Sequence, residues 1–304
     1  MKKVLITGAS GFIGRHCLSL LTAKGYEVHA VHSSGETVDV KGVRWHKADL
    51  LEPSVPAKLI EAVTATHLLH LAWFATPGRF WNSLINVRWL QASLDLLQAF
   101  AINGGQRVVM AGSCAEYDWN GGRCVEGKTA LVPATLYGAS KNALQCMLEA
   151  FATHAKLSAA WGRLFFLYGP HEHPDRLVSY IIRALLRREA AQCTDGIQMR
   201  DFLYVQDAAD AFVKLLDSNI SGPINIASGE AITVKQVITQ IAELLDGTEL
   251  VQWGAIQTPA TEPRLLVADV GRLRNELRWS PGWGLEMGLN ETINWWRSTE
   301  GEKL

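Results

Sequence analysis

The stretch VLITGASGFIG, residues 4–14, sets three glycines directly behind a short apolar run. Gly8, Gly11 and Gly14 follow a Gly-x-x-Gly-x-x-Gly spacing at the point where a helical pattern begins. Glycines let a backbone turn tightly and approach a pyrophosphate, whose charge then meets free N–H groups at a helix N-terminus. The alternative is a glycine-rich turn with a structural role only. The preceding apolar run and the early position in the chain favour a dinucleotide-binding loop.

The first half of the chain repeats this alternation of short apolar runs with helical patterns. Such alternation predicts an α/β fold with a Rossmann-type, doubly wound parallel sheet that is covered by helices on both faces. The runs are VLIT from Val4, EVHAV from Glu27, THLLHLA from Thr66, RVVMAGS from Arg107 and SAAWGRLFF from Ser158.

The regularity weakens beyond Gly169 and Pro170, which predicts a smaller and partly discontinuous C-terminal lobe. Helical patterns lie near 175–190, 206–217, 233–246 and 285–298, separated by short strands such as PINIAS. We predict a dinucleotide-binding domain over 1–168 and a lobe over 169–304 that mainly binds substrate. A segment of about 199–228 is expected to return to the first domain.

Composition restricts the class of protein. The chain has 304 residues, 48% of them apolar, so it is long enough to bury a large core. Its 29 Lys and Arg balance 30 Asp and Glu, which gives no global basic field for nucleic acid or a membrane surface. The five cysteines lack the spacing of a zinc site or a disulfide framework. We therefore expect a soluble cytoplasmic protein without a signal peptide, membrane span or metal site.

Two apolar series follow helical spacing and predict either core or a surface for dimerisation. The first spans residues 84–97 and the second residues 143–150. Contact with a ligand is the alternative for both series, and we expect a homodimer. The members are Leu84, Val87, Leu90, Leu94 and Leu97, and then Ala143, Met147 and Ala150.

The end of the second strand bears on cofactor choice. A protein that prefers NAD usually has Asp or Glu there to bind the ribose 2′-hydroxyl, whereas this chain has His32, Ser33 and Ser34. The missing carboxylate removes repulsion of a 2′-phosphate, which Arg15 and the two serines could bind. NADP(H) is therefore favoured over NAD(H). The alternative for Arg15 is a place on a solvated helix face.

Asp49 follows the third predicted strand, in KADLLEP. Its carboxylate could accept a hydrogen bond from the adenine amino group. A role as a helix cap or turn residue is equally compatible with the sequence.

The segment LYGASKNAL, residues 136–144, places Tyr137 and Lys141 four residues apart on one helix face. This spacing alone occurs often by chance. Ser113, in AGSCAEYD, precedes them at the end of the fifth strand, where strand ends gather around a ligand crevice. Together with the glycine loop, the three residues form an ordered set.

At this point the chain resembles the extended short-chain dehydrogenase/reductase family of nucleotide-sugar epimerases, dehydratases and ketoreductases. The resemblance covers nearly the whole chain. It rests on the glycine loop, Asp49, HLA from His70, Asn86-Val87, Ser113, Tyr137 and Lys141, YGP from Tyr168 and RDFLYVQDAAD from Arg200.

The resemblance implies that Tyr137 is the proton donor or acceptor, that Lys141 binds the nicotinamide ribose and that Ser113 hydrogen-bonds the substrate oxygen. A lysine and an oxidised nicotinamide are both cationic and would lower the pKa of a tyrosine, which is near 10 when unperturbed. The cofactor contacts that it implies are Gly8, Ser10, Gly11, Phe12, Ile13, Gly14, Arg15, His32, Ser33, Asp49, Leu50, Leu71, Ala72, Tyr137 and Lys141.

The second lobe of this family holds a nucleoside diphosphate-sugar. Arg200 matches a position that commonly contacts the phosphates, with a salt bridge to Asp201 or Asp207 as its alternative. Phe166 replaces the Asn of many relatives and cannot make its hydrogen bonds. The aromatic loop AWFATPGRFW could wall the sugar pocket or pack as core. The expected substrate contacts are Trp73, Cys114, Phe166, Arg200 and Arg264.

The residues after Ser113 distinguish between the reactions of the family. Dehydratases carry an Asp-Glu pair there, and 3,5-epimerising reductases have a catalytic Cys two residues on, whereas this chain has Cys114 and Ala115. Glu116 is displaced by one residue and should point to the opposite side if the strand continues. We therefore expect a structural Cys114 and neither dehydration nor C3 or C5 epimerisation.

The late segments, around Arg200 and from Trp253 onward, resemble reductases of 4-keto-6-deoxy or 3,6-dideoxy nucleotide sugars, abequose synthases among them. The sequence therefore predicts NADPH-dependent reduction of the C4 keto group of such a sugar. One alternative is an NAD-dependent nucleotide-sugar 4-epimerase. The other is a non-catalytic NADP-binding sensor, although such relatives typically lose the Tyr or the Lys.

Overall fold

The computed structural model describes residues 2–33 and 37–301. Its first half alternates strands with helices, because apolar runs buried on both faces alternate with amphipathic segments. The elements are β1 (Lys3–Thr7), α1 (Gly14–Ala23), β2 (Glu27–His32), β3 (Val43–Lys47), α2 (Val55–Val63), β4 (His67–His70), α3 (Ile85–Ile102), β5 (Arg107–Ser113), β6 (Arg123–Cys124), α4 (Leu136–Ala155) and β7 (Ser158–Leu164).

The second half has shorter strands and fewer regular repeats. Its elements are β8 (Phe166–Tyr168), α5 (Leu177–Leu186), β9 (Ala191–Gln192), β10 (Met199–Arg200), β11 (Phe202–Tyr204), α6 (Val205–Leu216), β12 (Gly222–Ile226), β13 (Ile232–Thr233), α7 (Val234–Leu244), β14 (Val251–Gln252), β15 (Leu265–Ala268), α8 (Gly271–Asn275) and α9 (Leu285–Gly301). Short 3₁₀ turns occupy Cys114–Glu116, Trp119–Gly121 and Thr248–Leu250.

A seven-stranded sheet in the order β12-β7-β5-β4-β1-β2-β3 forms the centre of the fold. Every neighbouring pair in it is parallel, for example Val4 beside Val28 and Val109 beside Ala160. The predicted doubly wound, Rossmann-type α/β sheet is therefore confirmed. The order reverses beside β1, so the segments that follow β1, β2, β4 and β5 leave the sheet at one edge, around the switch point where such folds bind ligands.

Helices cover both faces of the sheet. On one face α1 and α6 pack on the sheet through Leu18 and Phe212, and on the other α3 and α4 do so through Leu96 and Leu144. These four side chains are fully buried. Full burial of each contributes about 1.5 to 3 kcal/mol to stability, so the helices hold the sheet edge in place.

The C-terminal lobe has its own apolar cluster between α5, α7 and α9. Ile181, Ile238 and Ile293 are its buried centre. The cluster reaches Tyr168 and Tyr204 on the paired strands β8 and β11, and β12 lies at the edge of the main sheet beside β7. The division into a domain over 1–168 and a lobe over 169–304 stays a prediction.

Two predictions about where strands end were wrong. The run SAAWGRLFF is not one strand: β7 ends at Leu164, and β8 then pairs with β11 instead of continuing the main sheet. The strand before Glu116 also does not continue, because β5 ends at Ser113 and a 3₁₀ turn follows. Within the ranges that the structure describes, no helix combines the length and apolar character that crossing a membrane requires.

Candidate active site

The glycine loop between β1 and α1 lies against the end of β4. Gly8 has φ +68°, and a Cβ there would come within 2.8 Å of the Ala72 backbone nitrogen. Helix α1 begins at Gly14 after Ile13, which supplies no side-chain cap. The loop therefore offers the close backbone approach and the uncapped helix N-terminus that fit the pyrophosphate of a dinucleotide.

A series of buried hydrogen bonds connects the end of β1, just before the glycine loop, to β4 and α3. His70 Nδ1 is 2.7 Å from Thr7 Oγ1, and His70 Nε2 is 2.9 Å from Ser93 Oγ. Because Ser93 donates its hydroxyl to the Trp89 carbonyl, we assign the His70 proton to Nε2. Burial lowers the pKa of His70 to about 3, so the ring is neutral. These hydrogen bonds hold the end of β4 in place, and Leu71 and Ala72 follow directly after it. Sequence reasoning missed Thr7 and Ser93, because nothing local marks them.

The predicted residues for the adenosine end lie at the ends of β2 and β3. The His32 ring stands edge-on to Trp45, with 5.8 Å between centroids. Arg15 donates to the Ser10 carbonyl at 3.1 Å. Ser33 is exposed, and Ser34 lies outside the described residues. Asp49 accepts from the Leu51 N–H at 3.0 Å, which is the turn role that the sequence left open. Its contact with adenine stays a prediction.

Tyr137 lies in the first turn of α4, one turn before Lys141. Thr135 caps the helix by accepting from the Gly138 N–H at 3.1 Å, and the Tyr137 N–H donates to the Trp81 carbonyl at 2.9 Å. Burial raises the pKa of Tyr137 to about 12, although the neighbouring Ser113 side chain opposes the shift by favouring the phenolate. The phenol thus holds its proton at neutral pH.

Aromatic rings surround the Tyr137 ring edge-on. Their centroids lie 4.8 Å away for Phe80, 5.9 Å for Trp81 and 6.4 Å for Trp73. Phe80 is buried, whereas Trp81 is 37% exposed. The aromatic loop therefore packs on Tyr137, the predicted proton donor. Its role as a wall of the sugar pocket stays a prediction.

Lys141 is buried beneath this layer. Its Nζ donates to the Ala111 carbonyl at 2.8 Å and lies 3.8 Å from the centroid of the Trp73 ring. Burial lowers the pKa of Lys141 to about 7, and the negative charge of Glu116 opposes the shift. No local pattern in the sequence indicates that Trp73 covers the ammonium.

Glu116 belongs to a buried network behind Ser113. Its carboxylate accepts from the Ser113 N–H at 2.7 Å, from the Trp161 indole at 3.0 Å and from Arg163 Nε at 2.6 Å. Cys114 begins the 3₁₀ turn, and burial raises the pKa of its thiol. The residues after Ser113 thus provide neither a free carboxylate nor a reactive thiolate.

The predicted phosphate contact Arg200 is buried, with its guanidinium 5.5 Å from the Phe166 ring centroid. The proposed pairing with Asp201 or Asp207 is wrong, because Arg200 pairs with Glu262. Asp201 instead accepts from Ser228 Oγ and the Gly229 N–H. Asp207 accepts from the Gly282 and Trp283 N–H groups, so both aspartates have partners other than Arg200.

Arg264 is exposed and contributes its backbone carbonyl to the Met199 N–H at 2.8 Å. The Arg200 guanidinium bonds the Met199 carbonyl and Glu262, and the Arg264 side chain is not among its partners in the described part of the chain. Among residues 2–33 and 37–301, no group of three or more His, Cys, Asp or Glu is arranged to hold a metal ion.

Residues 4–227 match the model of the NAD dependent epimerase/dehydratase family. The chain belongs to this family. The members use nicotinamide cofactors, in agreement with the fit of the glycine loop to a dinucleotide.

Individual relatives of this family are distant in sequence but match nearly the whole of this chain. UDP-glucuronic acid decarboxylase 1 of Xenopus tropicalis is 26% identical over 97% of this chain and 72% of its own. CDP-abequose synthase of Salmonella typhimurium is 25% identical over 95% and 97%. The solved structure of MoeE5 with UDP-glucuronic acid and NAD is 31% identical, with a TM-score of 0.85 over 98% of this chain and 99% of that one.

Proposed function

We propose that this protein reduces the C4 keto group of a nucleoside diphosphate-4-keto-6-deoxy hexose, or of its 3,6-dideoxy counterpart, with NADPH. The proposal rests chiefly on one observation. Tyr137 stands beside Ser113 at the sheet edge, and the turn after Ser113 carries neither a free carboxylate nor a thiolate. Such a site can protonate a ketone oxygen, whereas it lacks the groups that dehydration requires.

The chain's own residues supply the proton and the orientation. Ser113 and Tyr137 would both bond the C4 oxygen, and the tyrosine would give its proton to that oxygen as the carbonyl becomes an alcohol. The buried phenol is protonated at neutral pH, as a donor must be, and the charge of Lys141 would lower its pKa toward the working pH. The bound nicotinamide would supply the hydride to C4. One ketone, one NADPH and one proton would thus give one alcohol and one NADP⁺.

The network around Glu116 argues against a dehydratase. A dehydratase must remove the C5 proton and protonate the departing C6 hydroxyl. Glu116 is fully buried and bonded to Arg163, Trp161 and the Ser113 backbone, so it is not available for either step. Cys114 and Ala115 cannot replace an acidic pair.

The nucleoside diphosphate would lie beside Arg200, whose guanidinium is suited to two phosphate oxygens. The Phe166 ring lies beside the Arg200 guanidinium. It offers the sugar an apolar face at the position where the Asn of many relatives would offer an amide. Similarity to CDP-abequose synthase and to a dTDP-6-deoxy-L-talose 4-dehydrogenase of Aggregatibacter actinomycetemcomitans, 26% identical over 79% of this chain, supports a deoxysugar substrate.

We further propose a homodimer. Exposed apolar side chains lie at the start of α3 and on α4, with Leu84 79%, Val87 41% and Met147 49% exposed. A second copy would cover this surface, since α3 and α4 pack side by side.

A 4-epimerase with NAD is the second candidate. UDP-glucuronate 4-epimerase of Thermodesulfobacterium geofontis is 24% identical over 96% of this chain, and MoeE5 was solved with NAD. Such an enzyme would keep its cofactor through the cycle, so cofactor consumption separates the two candidates.

To test the proposal, the purified protein is incubated with NADPH and, in turn, with dTDP-, CDP- and UDP-linked 4-keto-6-deoxy sugars, and NADPH oxidation is measured. We expect one NADPH to be oxidised for each molecule of 6-deoxy product, whose structure NMR identifies. Turnover by Tyr137→Phe should be lower by at least about a hundredfold. Conversion of an intact nucleotide hexose to its 4-keto-6-deoxy form, or interconversion of C4 epimers, without net cofactor consumption would overturn the proposal.

A further inference from the structure

Lys141 carries a buried ammonium that has few partners. Within residues 2–33 and 37–301 its one hydrogen bond goes to the Ala111 carbonyl, at 2.8 Å. No carboxylate within residues 2–33 and 37–301 forms an ion pair with it. Taking an ammonium out of water without a paired charge is costly, so another group has to stabilise it.

Trp73 meets this need from the open side of the site. The Lys141 Nζ lies 3.8 Å from the Trp73 ring centroid, well inside the distance at which an aromatic face attracts a cation. Trp161 is farther away, with its centroid 6.0 Å from the same nitrogen. The ammonium thus lies between one carbonyl and one indole face.

The indole is itself held in place. Its Nε1 donates to Asn86 Oδ1 at 2.9 Å, and the Asn86 amide donates in turn to the Phe80 carbonyl at 2.7 Å. Asn86 is fully buried, and Trp89 stacks beside Trp73 with 6.1 Å between centroids. The ring is therefore held in one orientation over Lys141 and beside Tyr137.

We propose that Trp73 is a positioning residue that holds the Lys141 ammonium, charged and in place, by a cation–π contact before the cofactor binds. The catalytic meaning of this contact rests on the function proposed above. The contact itself does not depend on that function. Trp73, expected from the sequence as a sugar contact, thereby acts on the proton-transfer pair.

The test is an NMR titration of Lys141 in the cofactor-free, full-length protein. Lysine labelled with ¹³C at Cε reports the charge of each side chain, and Lys141→Arg assigns the signal. Because a cation–π contact favours the charged form, Trp73→Leu should lower the pKa of Lys141 by about one pH unit. Trp73→Phe should lower it less, since a phenyl face binds cations more weakly than an indole face.

Trp253→Leu is the matched control, because it removes an indole that lies over another lysine, Lys235, and should leave the pKa of Lys141 as it is. An unchanged or higher pKa in both Trp73 variants, or an equal fall in Trp253→Leu, would overturn the proposal. If Trp73→Leu fails to fold, Trp73→Phe alone decides. Absence of ketoreductase activity would refute the proposed function but leave this titration interpretable.

Discussion

Arg163 donates to the Glu116 carboxylate across 2.6 Å, and both side chains are buried. This pair fixes the turn that carries Ser113, because Glu116 also accepts from the Ser113 N–H. Removing one partner of a buried pair leaves the other charge uncompensated. Glu116→Ala should therefore reduce the free energy of unfolding by about 3 to 5 kcal/mol, as measured by urea denaturation.

The control for this prediction is Glu276→Ala, which breaks the surface pair between Glu276 and Arg272. Exposed pairs of this kind contribute about 0 to 1 kcal/mol. A loss in Glu116→Ala no larger than that of the control would show that the buried pair does not support the turn.

Tyr137→Phe tests the proton donor. The phenyl ring keeps the contacts with Phe80 and Trp81, so the variant should fold and bind cofactor normally. Loss of a positioned acid should lower turnover by about a hundredfold to ten-thousandfold. Steady-state NADPH oxidation gives the rate, and calorimetry gives the cofactor affinity. Near-normal turnover would remove Tyr137 from the mechanism.

His32→Asp tests cofactor choice at the end of β2. NADP(H) should bind the wild type more tightly than NAD(H), because no carboxylate at this position repels a 2′-phosphate. The variant should reverse the preference, measured by calorimetric titration with both cofactors. His32→Asn, which adds no charge, is the control. Tighter binding of NAD(H) by the wild type would refute the preference.

Glu172 gives a pH-dependent prediction. Burial raises the pKa of this carboxyl from 4.5 to about 8, and Ser179 Oγ donates to it at 2.9 Å. A pKa raised by folding means that the folded protein holds the proton more tightly. The contribution of protonated Glu172 to the free energy of unfolding is therefore complete below pH 4.5. It is lost as the pH rises through about 8.

Glu172→Gln keeps the acceptor for Ser179 but cannot ionise. We expect it to match the wild type near pH 4.5. At pH 8 it should be more stable by about 1 to 3 kcal/mol, from chemical denaturation at both values. The exposed Glu189→Gln should show no such pH-dependent difference. Equal differences at the two pH values would contradict the prediction.

Much of the fold was predictable because its determinants are local. Strands buried on both faces give apolar runs such as RVVMAGS, and the glycine loop has a fixed spacing. The end of β7 at Leu164 was not predictable. An apolar run does not reveal where pairing changes from one sheet to another, and β8 pairs with β11 about forty residues later in the chain.

The candidate site likewise has a part that the sequence predicts and a part that it does not. Ser113, Tyr137 and Lys141 stand in recognisable segments, whereas their supports come from distant parts of the chain. Thr7 bonds a histidine 63 residues later, and Arg200 pairs with a glutamate 62 residues later. Such contacts depend on how the elements pack, so a single sequence does not encode them in any local pattern.

Arg200 and Glu262 give the last prediction. The guanidinium expected to bind the diphosphate is paired with Glu262, whose side chain is 36% exposed. A substrate phosphate must therefore compete with this carboxylate. Glu262→Gln removes the competing charge but keeps the shape, so KM for the nucleotide sugar should fall by about threefold to tenfold while kcat stays the same.

Two further variants make this test specific. Arg200→Gln should raise KM, because the phosphates lose their guanidinium partner. Glu249→Gln, an exposed glutamate of the same lobe, should leave KM unchanged. Steady-state kinetics and calorimetry with the free nucleoside diphosphate measure both effects. If Arg200→Gln raises KM but Glu262→Gln does not lower it, Glu262 does not compete with the substrate. If neither changes KM, the diphosphate binds away from Arg200.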